Sequence, residues 1–201
     1  MKLTILLQHL APKRLITIIA GKLANFECPK LTPKVITWFV QRYQVNMQEA
    51  DNSDINSYKT FNDFFTRPLK EDARPIAKAD FICPVDGAIS QLGAIQKNQI
   101  FQAKGHGYST LALVAGNVPL ASHFEGGHFA CLYLSPKDYH RIHMPCAGKL
   151  NSMTYVPGDL FSVNPTTAEN VPNLFARNER VVCEFSSEAH GLFLMVLVGA
   201  T

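Results

Sequence analysis

No stretch of the 201-residue sequence holds the roughly 18–20 uninterrupted apolar residues that a membrane-spanning helix requires. Lys13, Arg14 and Lys22 interrupt the best candidate, and the apolar run at 191–200 is far too short. A spanning helix is therefore not expected. The same cations, with no clear small-residue cleavage site, argue against a secretory signal. Paired cysteines are also missing. Cys28, Cys83, Cys131, Cys146 and Cys183 are an odd number at wide spacings without CxxC, which speaks against a disulfide framework or a zinc ribbon and for a reducing compartment. Lys104-Gly105-His106-Gly107-Tyr108 lacks phosphate-loop spacing and takes no nucleotide role. Without repeats or low-complexity tracts, the length and near-average composition describe a foldable chain with one sizeable core, or a core with a helical appendage.

What is present is unevenly distributed. Residues 1–45 carry seven cations (Lys2, Lys13, Arg14, Lys22, Lys30, Lys34, Arg42) against one acid, Glu27, which leaves the remainder slightly acidic. The same region places apolar side chains at helical spacing: Leu3, Leu6, Leu7, Leu10; then Leu15, Ile18, Ile19, Leu23; then Ile36, Phe39, Val40, Tyr43, Met47. Three short helices are predicted, with Pro12 and Pro33 near two of their starts. Their stripes have two readings: burial against the protein's own core, or docking in the interfacial plane of an anionic membrane with the cations at headgroup level.

Residues 48–57 are polar and turn-rich, a hinge between a helical region (1–57) and the rest (58–201). Thr60, followed by Asp63 at the third position, predicts a capped short helix through Phe61, Phe64 and Phe65 that Pro68 stops. From Phe81 the texture is that of strands, at 81–83, 88–95, 99–103, 128–135, 147–156, 181–185 and 192–198, with only 109–114 helical. The expected fold is α+β: amphipathic N-terminal helices followed by a mainly antiparallel β domain. The apolar strand Leu192–Val198 is followed by no return strand, so the β domain is expected to be incomplete at its C-terminal side.

The chemistry-bearing stretch is Leu134–Pro145, LSPKDYHRIHMP. His140 and His143 can face one pocket from a turn or helix, and an imidazole can take and return a proton near neutrality. Surface histidines, or half of a metal site, remain open readings of HxxH. Asp86, in Pro84-Val85-Asp86-Gly87, is by spacing a hairpin-turn residue; it matters to catalysis only if it points at one of the histidines. The stretches 155–164 and 173–180 suit pocket-lining loops, although Arg177, Glu179 and Arg180 equally suit surface ion pairs.

Six stretches, YKTFNDFFTRPLKEDARPI, PVDGAISQLG, QAKGHGYSTLALVAGN, YLSPKDYHRIHMPCAGKL, YVPGDLFSVN and NVPNLFARNERVV, occur in the order found in bacterial phosphatidylserine decarboxylase proenzymes, and the similarity runs from the N-terminal helices to the final VLVGAT. The resemblance implies a pyruvoyl group, made when a serine in Leu-Gly-Ser-Thr attacks the preceding glycine carbonyl and the chain is cut there. Matched motif by motif, Asp86 and His143 would form the base that activates the serine, and His140 would sit beside substrate. Asp138 would orient the loop. The pyruvoyl ketone would take the amine of phosphatidylserine and accept electrons as carbon dioxide leaves, giving phosphatidylethanolamine.

The resemblance further implies an anionic membrane surface as partner, a small pyruvoyl-bearing alpha subunit, a dimer of alpha-beta heterodimers, and a peripheral position on the cytoplasmic face of the bacterial inner membrane. It implies neither a metal nor a nucleic-acid partner. One departure stands out: Leu-Gly-Ser-Thr occurs nowhere in the 201 residues, and the terminal Val-Gly-Ala-Thr matches a family segment before the cleavage motif. Thr201 is therefore not expected to be the nucleophile. The chain is expected to correspond to most of the large (beta) subunit and to be inactive alone. A non-catalytic paralogue that binds anionic lipid is the alternative.

Overall fold

The computed structural model describes residues 3–103 and 105–200; Lys2, Lys104 and Thr201, named above, lie outside them, as does the side chain of Leu3. In chain order the helices are α1 (Leu3–Leu10), α2 (Lys13–Ala24), α3 (Thr32–Tyr43) and α4 (Phe61–Phe65). Next come β1 (Ala88–Ala94), β2 (Gln99–Ala103), β3 (His106–Ser109), α5 (Thr110–Leu113), α6 (Val118–His123) and β4 (His128–Tyr133). The chain continues through β5 (Lys149–Val156), α7 (Pro165–Ala168), α8 (Leu174–Arg177), β6 (Arg180–Ser187) and β7 (Gly191–Val198). This is the expected α+β class, with antiparallel pairing of β2 with β3, β5 with β6 and β6 with β7.

Packing groups the chain into two compact units, each discontinuous in sequence. The first runs through Ile16, then Ile89–Tyr133, then from Ala147 onward; the second is Thr17–Ala88 with Leu134–Cys146. The boundary expected at residue 57 thus falls inside the second unit.

In the first unit, β6 is the central strand of β5-β6-β7, with Cys183 opposite Met153 on one side and Met195 on the other. Ile5, Ile100, Tyr108, Phe161, Leu174 and Phe175 belong to its main core. Buried polar side chains tie its irregular segments together. Gln102 donates to Ala168 and Val171 carbonyls at 2.7 and 2.8 Å and accepts from Leu174 N–H at 2.9 Å. Asn178 accepts from Phe161 N–H at 3.1 Å and donates to the Phe161 and Gly199 carbonyls at 2.7 and 2.8 Å. Buried groups matched in this way avoid the cost of an unmet donor or acceptor.

In the second unit, Ile36, Val45 and Phe64 form a core against which Phe39, Val40, Tyr43, Tyr58, Phe61 and Phe65 pack. The predicted cap on α4 is present as a full capping box, with Asp63 N–H donating to Thr60 Oγ1 at 3.0 Å and Thr60 N–H to Asp63 Oδ2 at 3.1 Å.

Three local expectations change. Residues 81–83 are not a strand. Asp86-Gly87 is therefore not a hairpin turn between two strands. Instead Ile82 N–H donates to Pro145 O at 2.9 Å and His143 N–H to Pro84 O at 2.8 Å, so this segment satisfies its backbone against the histidine loop. Second, α6, α7 and α8 are helices beyond the one expected after residue 81. Asn117 caps α6 and Asn164 caps α7, each followed by a proline at the first or second helical position. Third, Arg180 is no surface ion-pair residue: it is buried and donates to the Leu113, Asn178 and Ala112 carbonyls at 2.7, 2.9 and 2.7 Å. Arg177 does make the surface pair, with Asp159 at 2.7 Å.

The amphipathic helices divide between the two readings. Ile5 of α1 and Ile36 of α3 are buried. Helix α2 buries no residue, and Leu15, Ile16, Ile18, Ile19 and Leu23 are exposed on it. Lys13 turns inward, donating to Gln8 O at 2.9 Å with its ammonium 4.0 Å from the Phe161 ring centre. Among the described residues no helix is long and apolar enough to cross a membrane.

Candidate functional site

Asp86, His140 and His143 all lie in the second unit. Their placement starts with backbone rather than secondary structure, because residues 134–146 contain no helix or strand. The two bonds joining 82–84 to 143–145 lay Asp86 and His143 on neighbouring stretches of irregular chain. Asp138 ties the start of the loop: its Oδ2 accepts from Ser135 N–H at 2.6 Å and from Ser135 Oγ at 2.8 Å, while its own N–H donates to Ser135 O at 2.9 Å. Farther along, Arg141 Nε donates to Thr66 O at 2.7 Å, which pins the loop to the end of α4.

Asp86 is held by an arginine that sequence reasoning did not single out. Arg74 Nε lies 2.9 and 3.1 Å from its two oxygens, and Nη2 lies 2.6 Å from Oδ2. The same Nη2 is 2.6 Å from Glu49 Oε2. Glu49 is brought there by pairing of 49–51 with 68–70, through Asp51 N–H to Pro68 O and Lys70 N–H to Glu49 O. Hydrogen bonding from Arg74 holds the Asp86 carboxyl below the usual carboxylate range, against partial burial that opposes it; the Tyr139 N–H and the nearby His143 act in the same direction as Arg74. Arg74 is in turn held more firmly protonated by the two carboxylates.

His143 is exposed, and its Nε2 is 3.1 Å from the Tyr139 hydroxyl, with the two rings stacked at 5.5 Å between centres. Among the described residues no hydrogen bond joins it to Asp86; Tyr139 serves both, its backbone N–H favouring the charged carboxylate and its hydroxyl meeting the imidazole. His140 is in a different setting. Its ring lies 4.1 Å from the Phe65 ring centre, and Nδ1 is 2.7 Å from the Asp138 carbonyl oxygen. A carbonyl can only accept, so Nδ1 carries the proton and the lone pair of the neutral ring sits on Nε2. Burial holds the His140 pKa below its usual value, with the Arg67 charge adding to this and Asp138 opposing it. At neutral pH His140 is therefore an uncharged ring with a defined basic nitrogen.

The arrangement offers an ionised carboxylate, an exposed imidazole and a half-buried neutral imidazole in one unit. Such a set can accept a proton from a hydroxyl and return one to carbon. Among the described residues no three His, Cys, Asp or Glu side chains gather as metal ligands, and all five cysteines are free. Tyr139, Arg74 and Phe65 were the residues missed. Their signal was available only as adjacency: Tyr139 directly precedes His140, and Arg74-Pro75 and Phe64-Phe65 sit within the motif stretches.

Comparison with known proteins identifies the family. A family model described as "Phosphatidylserine decarboxylase" matches residues 61–201, and a second, described as "PSD", matches residues 3–44. The chain is 66% identical over 200 residues to the phosphatidylserine decarboxylase proenzyme of Dechloromonas aromatica (strain RCB), covering 100% of this chain and 71% of that one. It is 64% identical over 200 residues to the proenzyme of Azoarcus sp. (strain BH72), covering 100% and 69%. The match to the Methylobacillus flagellatus proenzyme is 67% over 195 residues, covering 97% and 69%. With near-complete coverage at such identity, and with the histidine loop inside the matched region, the chain belongs to the phosphatidylserine decarboxylase family.

Proposed function

We propose that this chain is the histidine-bearing portion of a self-processing decarboxylase that converts phosphatidylserine to phosphatidylethanolamine. The observation that carries the proposal is the antiparallel backbone contact of 82–84 with 143–145, which brings an ionised Asp86 and His143 into one neighbourhood within a loop that also presents His140. His143 is the base for a serine hydroxyl during processing, and the Asp86 carboxylate stabilises the imidazolium that results. Arg74 keeps Asp86 charged, and Tyr139 sets the His143 ring plane. In turnover, His140 Nε2 handles the substrate carboxylate or the proton returned to carbon.

A pyruvoyl group supplies an electrophilic carbonyl that takes the substrate amine and accepts the electrons released with carbon dioxide. Its source is not among the residues here, since no Leu-Gly-Ser-Thr occurs in the sequence. A small alpha subunit, whose N-terminal pyruvoyl group derives from the serine of that motif, would be the partner, and a dimer of alpha-beta heterodimers the assembly. The unburied apolar stripe of α2, continued by exposed Phe26 and Leu31, is the membrane-associating surface, with Lys22 and Lys30 close to it in sequence. It would hold the protein peripherally on the cytoplasmic face of the inner membrane.

The test joins this chain to a downstream segment bearing Leu-Gly-Ser-Thr from the Dechloromonas aromatica relative and follows processing by intact mass. Cleavage is expected in the joined protein and not in the 201 residues alone. Asp86→Asn and His143→Ala should block it, while His140→Ala should cleave and then fail to decarboxylate. Normal cleavage in both of the first two variants would overturn the roles given to Asp86 and His143, whereas a joined protein that never cleaves yet binds anionic vesicles would overturn the decarboxylase reading in favour of a non-catalytic lipid-binding protein.

A further inference from the structure

Two arginines of the second unit use, or leave unused, the same donor edge. Arg74 applies Nε and Nη2 together to the Asp86 carboxylate, the side-on fork that a guanidinium offers to an oxyanion. Arg67 lies nearby in sequence at the end of α4 and is far more buried, with 3% of its surface exposed. Its Nη1 makes one long bond, 3.4 Å to Phe64 O, and its guanidinium lies 5.1 Å from the Phe64 ring centre. Nε is buried with no partner. Among the described residues none makes an ion pair with it: Glu49 and Asp86 act on it only through space, and both carboxylates are bonded to Arg74. A guanidinium kept from water without an anion is an unusual expense in a protein of this size, where buried charges are normally paired.

The location of Arg67 gives this edge a use. Phe65 lies under the His140 ring, and Thr66 O receives Arg141 Nε, so residues 64–67 and 140–141 are locked against each other. Arg67 thus stands close enough to His140 for its charge to be felt there. We infer that the Nε–Nη2 edge of Arg67 receives the phosphate diester of the phospholipid headgroup and positions it beside His140. This rests on the decarboxylase reading above and names the part of the substrate that the site grips.

Chemistry favours the phosphate over the serine carboxylate. A cation paired with the carboxylate would hold in place the negative charge that has to move onto the substrate carbon as neutral carbon dioxide leaves, and so would favour the ground state over the transition state. The phosphate keeps its charge from substrate to product, so pairing with it orients the headgroup at no cost to the chemical step. Arg67 is on this account a positioning residue, and substrate and product headgroups should bind it alike.

The full chain can be tested without processing, by following the 15N-labelled Arg67 Nε–H resonance, assigned by its absence in Arg67→Lys, during titration with soluble headgroups. Glycerophosphoserine and glycerophosphoethanolamine should both move it, with dissociation constants agreeing within about threefold, and inorganic phosphate should compete more weakly than either. Free L-serine, with a carboxylate and no phosphate, should leave it in place. Binding should weaken about tenfold in Arg67→Gln and by less in Arg67→Lys, which keeps the charge but loses the fork. In a completed enzyme the Lys variant should raise KM with little change in kcat. An unmoved resonance at saturating diester, equal response to free serine, or tighter binding of inorganic phosphate than of the diesters would each overturn the inference. Because binding is read on the wild-type resonance, a failure of Arg67→Gln to fold does not affect that result, and triple-resonance correlation of the Arg67 side chain to its own backbone assigns the resonance should Arg67→Lys fail as well. If the resonance stays still while His143→Ala still blocks processing, the decarboxylase reading survives and only the role of Arg67 is lost.

Discussion

Along β6, each residue from Arg180 to Ser187 faces a partner on β7, and the order of that sheet follows from repeating backbone bonds and alternating side chains. Between Leu134 and Cys146 no residue belongs to a helix or strand, and the same need for order is met singly. Asp138 ties the turn, Arg141 reaches Thr66 O, and His143 N–H finds Pro84 O. The sheet carries no candidate catalytic side chain; the loop carries two. The contrast teaches that the proposed reacting groups sit where backbone geometry is set by individual contacts, so one substitution there should remove chemistry while leaving the fold intact.

The largest effect that would sharpen this contrast is kinetic. In the joined proenzyme, His143→Ala should slow cleavage by about 10²–10⁴-fold, the range for losing a positioned base, with the thermal midpoint unchanged by more than a few degrees. Next comes a change in the sheet-bearing unit. Asn178→Ala removes three bonds to backbone groups, two of them on buried Phe161, and should cost about 3 kcal/mol in chemical denaturation, without touching the loop. A small loss there would mean that the loops and short helices between β5 and β6, residues 157–179, are held by packing alone.

A smaller effect is expected in the loop itself. Asp138→Ala should cost about 1–2 kcal/mol by loss of the turn, and amide exchange should quicken at Ser135–Tyr139 but not in β5–β7. Smaller still is Arg74→Gln. The pair it breaks is partly open to water, with 43% of the Arg74 side chain and 23% of Asp86 exposed, so it should cost under about 1 kcal/mol. Because the folded Asp86 pKa lies below its unfolded value, that contribution is fully present above the ordinary carboxylate range and is lost as pH falls through the folded value. The stability difference between wild type and Arg74→Gln should therefore shrink on acidification, as measured by denaturation at several pH values. A constant difference would show that Arg74 acts through packing.

Much of this architecture is legible in the amino-acid sequence alone. The three N-terminal helices follow from apolar spacing, and the α4 cap from Thr60 and Asp63, because both signals are local. The strands β2 and β5–β7 follow from alternating or continuous apolar runs, whereas β3, in the glycine-flanked stretch 105–109, has no such pattern and does not. The helices α6, α7 and α8 escape a sequence reading because each is six residues or fewer, too short for an apolar period to develop, although Asn117 and Asn164 mark two of their starts. Residues 81–83 read as a strand since Phe-Ile-Cys is apolar, yet their backbone partners lie some sixty residues on, at 143–145, a pairing no local pattern can announce. Within the proposed site, Asp86 and the two histidines are named by motif order alone. The Arg74 grip on Asp86 and the Tyr139 contact with His143 depend on that distant pairing and are not legible in the sequence.

The central claim is that Asp86 and His143 act as one unit on an incoming hydroxyl, and a double-mutant cycle on processing tests it most directly. Cleavage rates of the joined protein would be measured for wild type, Asp86→Asn, His143→Ala and the double variant. Residues that serve one proton transfer are strongly non-additive, so the double variant should be scarcely slower than His143→Ala alone. Losses that multiply, with the double variant slower by the product of the two single effects, would contradict the claim and leave Asp86 as the structural partner of Arg74.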